Sequence, residues 1–235
     1  MMVSVAAIMS TQASIFYRPK DTRVAADSAH QNFWHPRSDL LSYLNVFDAY
    51  KQAVTEGQDP SRWCREKFIN EKTVKEALQL EQQLITICKR AGMGPSLANL
   101  TLEEPCTNFC KAIAFGFCHR AAIMTDPTTA TYMQSHNEWE SLISDDSCLS
   151  TGDRDVATGD VDNTFEWIVY AKCTQAPKGR SFFESVTVIH ADWLIDLPYF
   201  HEDNLDNLCS DSKKMRRVID FLNVARARRA RGQAW

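Results

Sequence analysis

The densest group of side chains that could bind a ligand lies at the C-terminal end of the chain, which is rich in Lys and Arg. Residues 213–235 contain eight Lys and Arg and a single acid, Asp220, and so carry a net charge of +7. Because the whole chain carries −4, the remainder carries −11. A cationic segment of this kind suits salt-sensitive, sequence-independent phosphate binding. The alternative is a solvated basic helix docked on the acidic remainder or a localisation-type basic cluster, and phosphate binding and this alternative stand level. The candidate phosphate-binding side chains are Arg226, Arg228, Arg229 and Arg231.

A second candidate site lies around the turn-like segment 176–179, which is followed by Arg180 and two aromatic residues. Lys178 and Arg180 supply positive charge there, and Phe182 and Phe183 follow directly. Aromatic rings beside cations on a β surface suit stacking on the bases of a single strand. The same two rings could instead fill the interior of a β-barrel, so the pattern by itself is weak.

Two sets of possible metal ligands are present, and neither has a convincing spacing. Cys106, Cys110, Cys118 and His119 lack the paired C-x2-C of a zinc knuckle, and buried thiols are the better interpretation. An acidic segment lacks the Gly and the terminal Glu of a calcium loop at the required positions, which favours a solvated loop. Its carboxylates are Asp153, Asp155, Asp160 and Asp162. We therefore predict no metal site.

Composition and motifs restrict the remaining function classes. The chain has 235 residues, 44% of them hydrophobic and 24% charged, as in a globular protein. The motifs G-x-x-x-x-G-K-[ST], H-E-x-x-H and G-x-S-x-G do not occur, so we assign no catalytic residue and no cofactor to this chain. The eight cysteines are too sparse for a disulfide scaffold, which favours a reducing compartment. No stretch approaches the ~18–20 apolar residues of a membrane span, so we expect no membrane partner.

Helical periodicity dominates the first half of the chain. The run 1–9 is apolar and has no Lys or Arg ahead of it, so we expect a buried helix rather than a signal peptide. Ser38 or Asp39 can cap the next helical run, which ends at the break 57–60. The longest helical pattern covers 70–91 and stops at Gly92. A further helix is predicted over 108–123.

The second half changes character. Residues 165–172 and 181–189 are rich in β-branched and aromatic side chains and predict two strands joined by a turn. Residues 191–200 indicate a short helix or corner, and 213–231 a basic helix. We therefore predict an α+β fold with a helical domain over 1–125, a small β domain over 126–205 and a basic helix or tail over 206–235.

Six stretches, in order, form a pattern that is specific as a set. They are 15–20 (IFYRPK), 38–52 (SDLLSYLNVFDAYKQ), 63–84 (WCREKFINEKTVKEALQLEQQL), 110–122 (CKAIAFGFCHRAA), 166–170 (EWIVY) and 186–200 (VTVIHADWLIDLPYF). Together they resemble the C-terminal region of DEAH-box ATP-dependent RNA helicases, particularly the pre-mRNA-splicing group. The Trp-Cys pair at 63–64 and the EWIVY stretch are the most distinctive.

The resemblance implies a helical ratchet domain, N-terminally truncated here, followed by an OB-fold. It also implies single-stranded RNA and G-patch-type activators or spliceosomal proteins as partners, and a nuclear location. Counted back from the V-T pair at 186–187, Arg180 matches a hairpin Lys that lies close to RNA in the family. The sequence departs at Ala171-Lys172, where His-Glu is usual, and at Glu184, where Arg is usual. The acidic stretch 144–163 stands in place of the family's H-P-S-S segment.

The family's two motor domains and most or all of its winged-helix domain have no counterpart in these residues, so the chain looks like a fragment, a truncated gene model or a degenerate copy of such a helicase. We therefore expect an accessory module that binds single-stranded RNA without hydrolysing ATP. The alternative is a protein-interaction scaffold without RNA affinity, which binds a helicase motor or a G-patch-like partner.

Overall fold

The computed structural model describes residues 1–93, 105–137, 139–150, 165–176, 179–201, 204 and 213–232. The chain divides into two compact units, Met1–Pro105 and Cys106–Trp235. The first unit is helical, and the second combines helices with a small mixed sheet, so the fold is α+β. The division lies at Pro105, ahead of the boundary at 125 that the sequence suggested.

Five helices build the first unit. They are α1 (Met2–Met9), α2 (Arg23–His30), α3 (Asp39–Thr55), α4 (Pro60–Glu66) and α5 (Glu71–Arg90). Ser38 caps α3 by accepting a hydrogen bond from the Leu41 amide at 3.3 Å, and Asn70 caps α5 in the same way. At the other end of α3, Gly57 takes φ +79°, a conformation that costs glycine little. These boundaries agree with the predictions for 38–57 and 70–91.

The core of the first unit lies where α3, α4 and α5 meet. Phe47, Val74 and Ala77 have no solvent exposure, and Ile8 of α1 joins the same cluster. Helix α1 packs along α5, with Val5 and Ala7 also buried. The apolar run 1–9 is therefore a buried helix, as predicted.

Two further helices and five strands build the described part of the second unit. The helices are α6 (Pro105–Gly116) and α7 (Lys213–Ala230). The strands are β1 (Ala121–Asp126), β2 (Thr131–Gln134), β3 (Glu140–Ile143), β4 (Trp167–Gln175) and β5 (Ser181–Ile189). Strand β1 pairs antiparallel with β2 and β4, and β2 with β3. Strand β5 pairs antiparallel with β4 and parallel with β3, so the pairings close the sheet on itself.

The helix predicted over 108–123 is wrong at its C-terminal end. Helix α6 stops at Gly116, and Ala121 already begins β1. A short apolar run is compatible with the periodicity of a helix or of a strand. Here pairing with β2 and β4 makes it a strand, in which Ala121, Ala122 and Ile123 are all buried. The sequence also gave no signal for β2 and β3, which have only four residues each.

Large side chains fill the interior of the sheet. Trp167, Tyr132 and Phe183 are among the largest fully buried residues. The Tyr170 and Phe183 rings stack with centroids 4.0 Å apart and planes inclined by 15°. The Tyr132 hydroxyl donates a hydrogen bond to the Phe165 carbonyl at 2.9 Å, which satisfies the polar end of a buried ring.

Candidate nucleic-acid interface

Helix α7 has one face that packs on its own unit. Val218, Leu222 and Ala225 are at most 2% exposed, and their spacing of four and three residues places them on one side of the helix. The helix contacts the 3₁₀ turn Ala191–Trp193, which belongs to the corner that follows β5. Burial of Leu222 alone is worth about 1.5–3 kcal/mol. Apolar packing therefore places the basic helix.

Two of the predicted phosphate-binding arginines extend that packed face. Arg226 donates to the Phe200 carbonyl at 2.9 Å and to the Asn223 side chain at 2.8 Å. Arg229 forms an ion pair with Asp196. That pair is largely solvent-exposed, so it contributes little stability and mainly fixes the position of the guanidinium. We call Val218, Leu222, Ala225, Arg226 and Arg229 the docking face.

Four further arginines of the described part of α7 and of the turn that follows it lie outside the docking face. Arg228 and Arg231, both predicted from the sequence, are exposed, and so is Arg216. Arg217 is exposed as well, and its guanidinium also donates to the Thr125 carbonyl at 3.3 Å, at the end of β1. We call Arg216, Arg217, Arg228 and Arg231 the outer face.

Acids modify the field of the outer face. Arg228 lies close enough to Glu166 for their charges to interact, and Asp220 is exposed on α7 itself. The outer face therefore retains a surplus of positive charge. The sequence counted Arg216 and Arg217 in the basic segment but did not single them out. Arg226 and Arg229 are therefore engaged on the docking face, whereas Arg216, Arg217, Arg228 and Arg231 face solvent; the sequence had left docking and phosphate binding as alternatives.

The second candidate group lies on the β4–β5 hairpin. Arg180 is exposed, and its carbonyl accepts a hydrogen bond from the Ala176 amide at 2.7 Å, which closes the hairpin. Lys178 lies outside the described residues. The structure therefore presents one guanidinium on a closed turn, where it is accessible to an anion.

The two phenylalanines that follow Arg180 have different environments. Phe183 is fully buried and stacked on Tyr170, so it fills the interior of the sheet and is not available for a base. Phe182 is half-buried and lies opposite Leu142 on β3. For Phe183, the interpretation as core packing is the right one.

Charges on the middle of the hairpin are balanced. Lys172 on β4 lies directly opposite Glu184 on β5, and the Glu184 carboxylate accepts a hydrogen bond from the Thr174 hydroxyl at 2.8 Å. The two departures from the helicase pattern, Lys172 and Glu184, therefore face each other. Positive charge on this hairpin is concentrated at its tip, at Arg180.

The possible metal ligands remain separate. Cys106 is exposed, Cys110 is buried and Cys118 is half-buried. Within the described residues, no group of three or more His, Cys, Asp or Glu side chains could hold a metal ion. All seven cysteines of the described segments are free thiols, and burial raises the pKa of Cys64 to about 11. Asp153, Asp155, Asp160 and Asp162 lie outside the described residues.

One further group titrates abnormally in the second unit. His136 follows β2, and its imidazole packs against the Tyr199 ring with centroids 3.7 Å apart and planes inclined by 35°. Burial is the main cause that lowers the pKa of His136 to about 4. At neutral pH this ring is uncharged, so it adds no positive charge to a nucleic-acid site.

No family model matches the chain. Among the described residues, none of the helices is both long enough and apolar enough to cross a membrane.

Proposed function

We propose that the chain is an accessory module of the DEAH-box RNA-helicase type, which binds single-stranded RNA and contains no ATPase motor. The observation that supports this most directly is the outer face of α7, which turns Arg216, Arg228 and Arg231 to solvent while apolar side chains fix the opposite side. A helix held in this way presents its cations without requiring them for folding. Phosphate binding is the chemistry that such a row of guanidinium groups suits best.

The sheet supports the same proposal through its topology. Five short strands closing in the order β1-β2-β3-β5-β4, with β3 and β5 parallel, suit an OB-fold. OB-folds bind oligonucleotides across strands 2 and 3 and through the loops between strands 1 and 2 and strands 4 and 5. In this chain, Arg217 contacts the end of β1, beside the first loop, and Arg180 lies on the second. Cations would then flank both ends of the binding face.

The resemblance extends the proposal to pre-mRNA splicing in the nucleus. In that setting the helical unit corresponds to the ratchet domain, and the partners are G-patch-type activators or spliceosomal proteins. ATP would be hydrolysed by motor domains in the intact helicase, and the present residues would contribute RNA contact and partner binding.

The test is binding of a 5′-fluorescein U12 RNA, followed by anisotropy between 50 and 200 mM KCl. The double variant R228Q/R231Q removes two cations from the outer face, and R226Q/R229Q removes two from the docking face. Both variants change the net charge by the same amount. We expect R228Q/R231Q to reduce the slope of log K against log salt by about 1.4, at ~0.7 per lost single-strand contact. The docking-face variant should retain most of the slope.

Thermal unfolding of both variants, measured beside the binding, separates misfolding from lost contact. Equal loss of affinity in the two variants would show that net charge alone decides binding. Absence of RNA binding by the unmodified chain at 50 mM KCl would contradict the proposal.

The scaffold alternative draws on exposed apolar side chains in the helical unit. Ile87 on α5 is 56% exposed, and Met93 just beyond that helix is 59% exposed. Such residues suit a protein partner. Association with a helicase motor that survives nuclease treatment, in a chain with no measurable RNA affinity, would support the scaffold over the RNA-binding module.

A further inference from the structure

A groove lies between the last turns of α7 and the corner that follows β5. Its volume is about 380 Å³, which falls within the range of small-ligand sites. One wall consists of Arg226, Arg229 and Ala230, whose spacing of three and four residues places them on one face of the helix. The other wall consists of Ile195 and Asp196 from the corner. The groove thus combines charged and apolar side chains.

Both walls of the groove are fixed by contacts within the unit. Leu222 has no solvent exposure and holds α7 against the unit, and Ile195 on the opposite wall is only 7% exposed. The Arg226 guanidinium donates to the Phe200 carbonyl at 2.9 Å and so connects the helix to the end of the corner. The groove is therefore formed before any ligand arrives, which reduces the entropic cost of binding.

A carboxylate of the chain itself already contacts one of the two guanidinium groups. Asp196 pairs with the Nη1 nitrogen of Arg229, and the two side chains are 69% and 49% exposed. An ion pair this exposed contributes little stability, so Asp196 can return to water at small cost. The planar fork of Arg229 suits another carboxylate in its place, because two parallel hydrogen bonds can then form.

The charges around the groove favour a single carboxylate over a polyanion. Two guanidinium groups and the Asp196 carboxylate line the groove, and Asp192 lies close enough to Arg229 for their charges to interact. These two positive and two negative charges balance, so they provide no surplus that would attract a row of phosphates. Exchange of Asp196 for another carboxylate preserves the balance. Ile195 and Ala230 suit an aliphatic group attached to that carboxylate.

We propose that this groove binds a carboxylate attached to a short aliphatic group, which takes the place of Asp196 at Arg229. The C-terminus of a peptide and a glutamate side chain both present such a group. This binding goes beyond the proposed RNA contact, because it uses the docking face of α7 rather than the outer face.

Nuclear magnetic resonance titrations of the full ¹⁵N-labelled chain test the proposal with three dipeptides at millimolar concentration. Acetyl-Ala-Leu has a free C-terminal carboxylate, acetyl-Glu-Leu-amide has a side-chain carboxylate, and acetyl-Gln-Leu-amide has none. We expect at least one of the first two to shift the amide signals of Ile195 and Asp196, and the third to shift neither. The peptide that binds identifies the source of the carboxylate.

Substitutions at exposed positions separate the contributions to binding. Asp196→Asn removes the competing carboxylate and should tighten binding by about 2- to 5-fold. Arg229→Gln should weaken binding by about 10-fold, and Ala230→Trp should abolish it by filling the groove at unchanged charge. Glu66→Gln is the matched control, because it releases Arg62 from an exposed pair on α4 and should create no binding there.

Three outcomes would overturn the proposal. Neither carboxylate peptide shifts these signals in the unmodified chain or in Asp196→Asn, or Asp196→Asn weakens binding, or inorganic phosphate binds as tightly as the peptides and shows an unselective anion site. None of these outcomes bears on the salt dependence of U12 RNA binding, so failure here is distinguishable from failure of the RNA-binding module.

Discussion

Substitution of Glu81 by Gln gives the sharpest test of how the helical unit is held together. Glu81 lies on α5 and is only 6% exposed. The Ser4 hydroxyl on α1 donates to its carboxylate at 2.6 Å, and the Lys51 ammonium on α3 lies 2.8 and 3.0 Å from its two oxygens. One carboxylate therefore connects three helices.

The cost of Glu81→Gln can be worked from these contacts. Gln keeps an oxygen for the Ser4 hydroxyl but loses the charge that pairs with Lys51. Removing one partner of a fully buried ion pair costs 3–5 kcal/mol, and a hydrogen bond to a charged group is worth about 1.5–3 kcal/mol. The Lys51 side chain is 37% exposed and can return its charge to water, so the full cost of a buried pair does not apply and the lower part of the hydrogen-bond range does. We expect a loss of about 1.5–2 kcal/mol.

The pH dependence of the free energy of unfolding tests whether the ionised Glu81 carboxylate is the source of this stabilisation. Burial raises the pKa of Glu81, but the hydrogen bonds from Lys51 and Ser4 outweigh burial, and the pKa is lowered overall. A lowered pKa means that the unfolded chain binds more protons, so the stabilisation is present above the ordinary pKa of Glu, about 4.3, and is lost as the pH falls through the folded value. The gap between the unmodified chain and Glu81→Gln should be constant from pH 6 to 8 and should narrow below about pH 4.

Urea unfolding, followed by far-ultraviolet circular dichroism, measures this difference in the free energy of unfolding. The dependence of that free energy on urea concentration should be the same for both proteins. Glu66→Gln is the matched control, because it breaks the largely exposed Arg62–Glu66 pair on α4 and should cause no measurable loss. Equal stabilities of the unmodified chain and Glu81→Gln at pH 7 would refute the reasoning. So would a gap that persists unchanged at acid pH.

Two further predictions concern the second unit. Leu222→Ala should cost about 2–5 kcal/mol by leaving a cavity under α7 and should accelerate tryptic cleavage within that helix. Val224→Ala, at a 49% exposed position of the same helix, should not, and identical cleavage rates would argue against docking through Leu222. His136 has a pKa that burial lowers from 6.5 to about 4, so the folded unit excludes a proton that the unfolded chain accepts. Stability should therefore fall as the pH drops from 6.5 to about 4, and in His136→Gln this slope should become shallower; an unchanged slope in urea titrations would contradict the assignment.

Sequence and structure agree where the signals are local. Helix boundaries were predictable because the signals that set them lie within a few residues of each end. These signals are the side-chain caps Ser38 and Asn70 and the glycines that follow the last helical turn. Strand β5 was also predicted at its observed bounds, because its β-branched and aromatic residues form one uninterrupted run. In both cases the information lies inside the element itself.

The candidate site depended on contacts between distant residues. The sequence shows eight cations at the C-terminal end, but only packing on the 191–193 turn gave Arg226 and Arg229 partners within the unit and left Arg228 and Arg231 facing solvent. Neighbouring arginines cannot be told apart from the sequence alone. The direction in which each side chain points depends on which face of the helix buries its apolar residues.

The sequence by itself determined that a helical half precedes a half containing strands, that the final helix is basic, and which charges that helix carries. Tertiary structure decided that 121–126 is a strand, that Phe183 is core, and that Arg226 and Arg229 make contacts within their own unit. The reason is physical: helix caps and apolar periods act over a few residues, whereas strand pairing joins residues about forty positions apart and acts only once the sheet has closed.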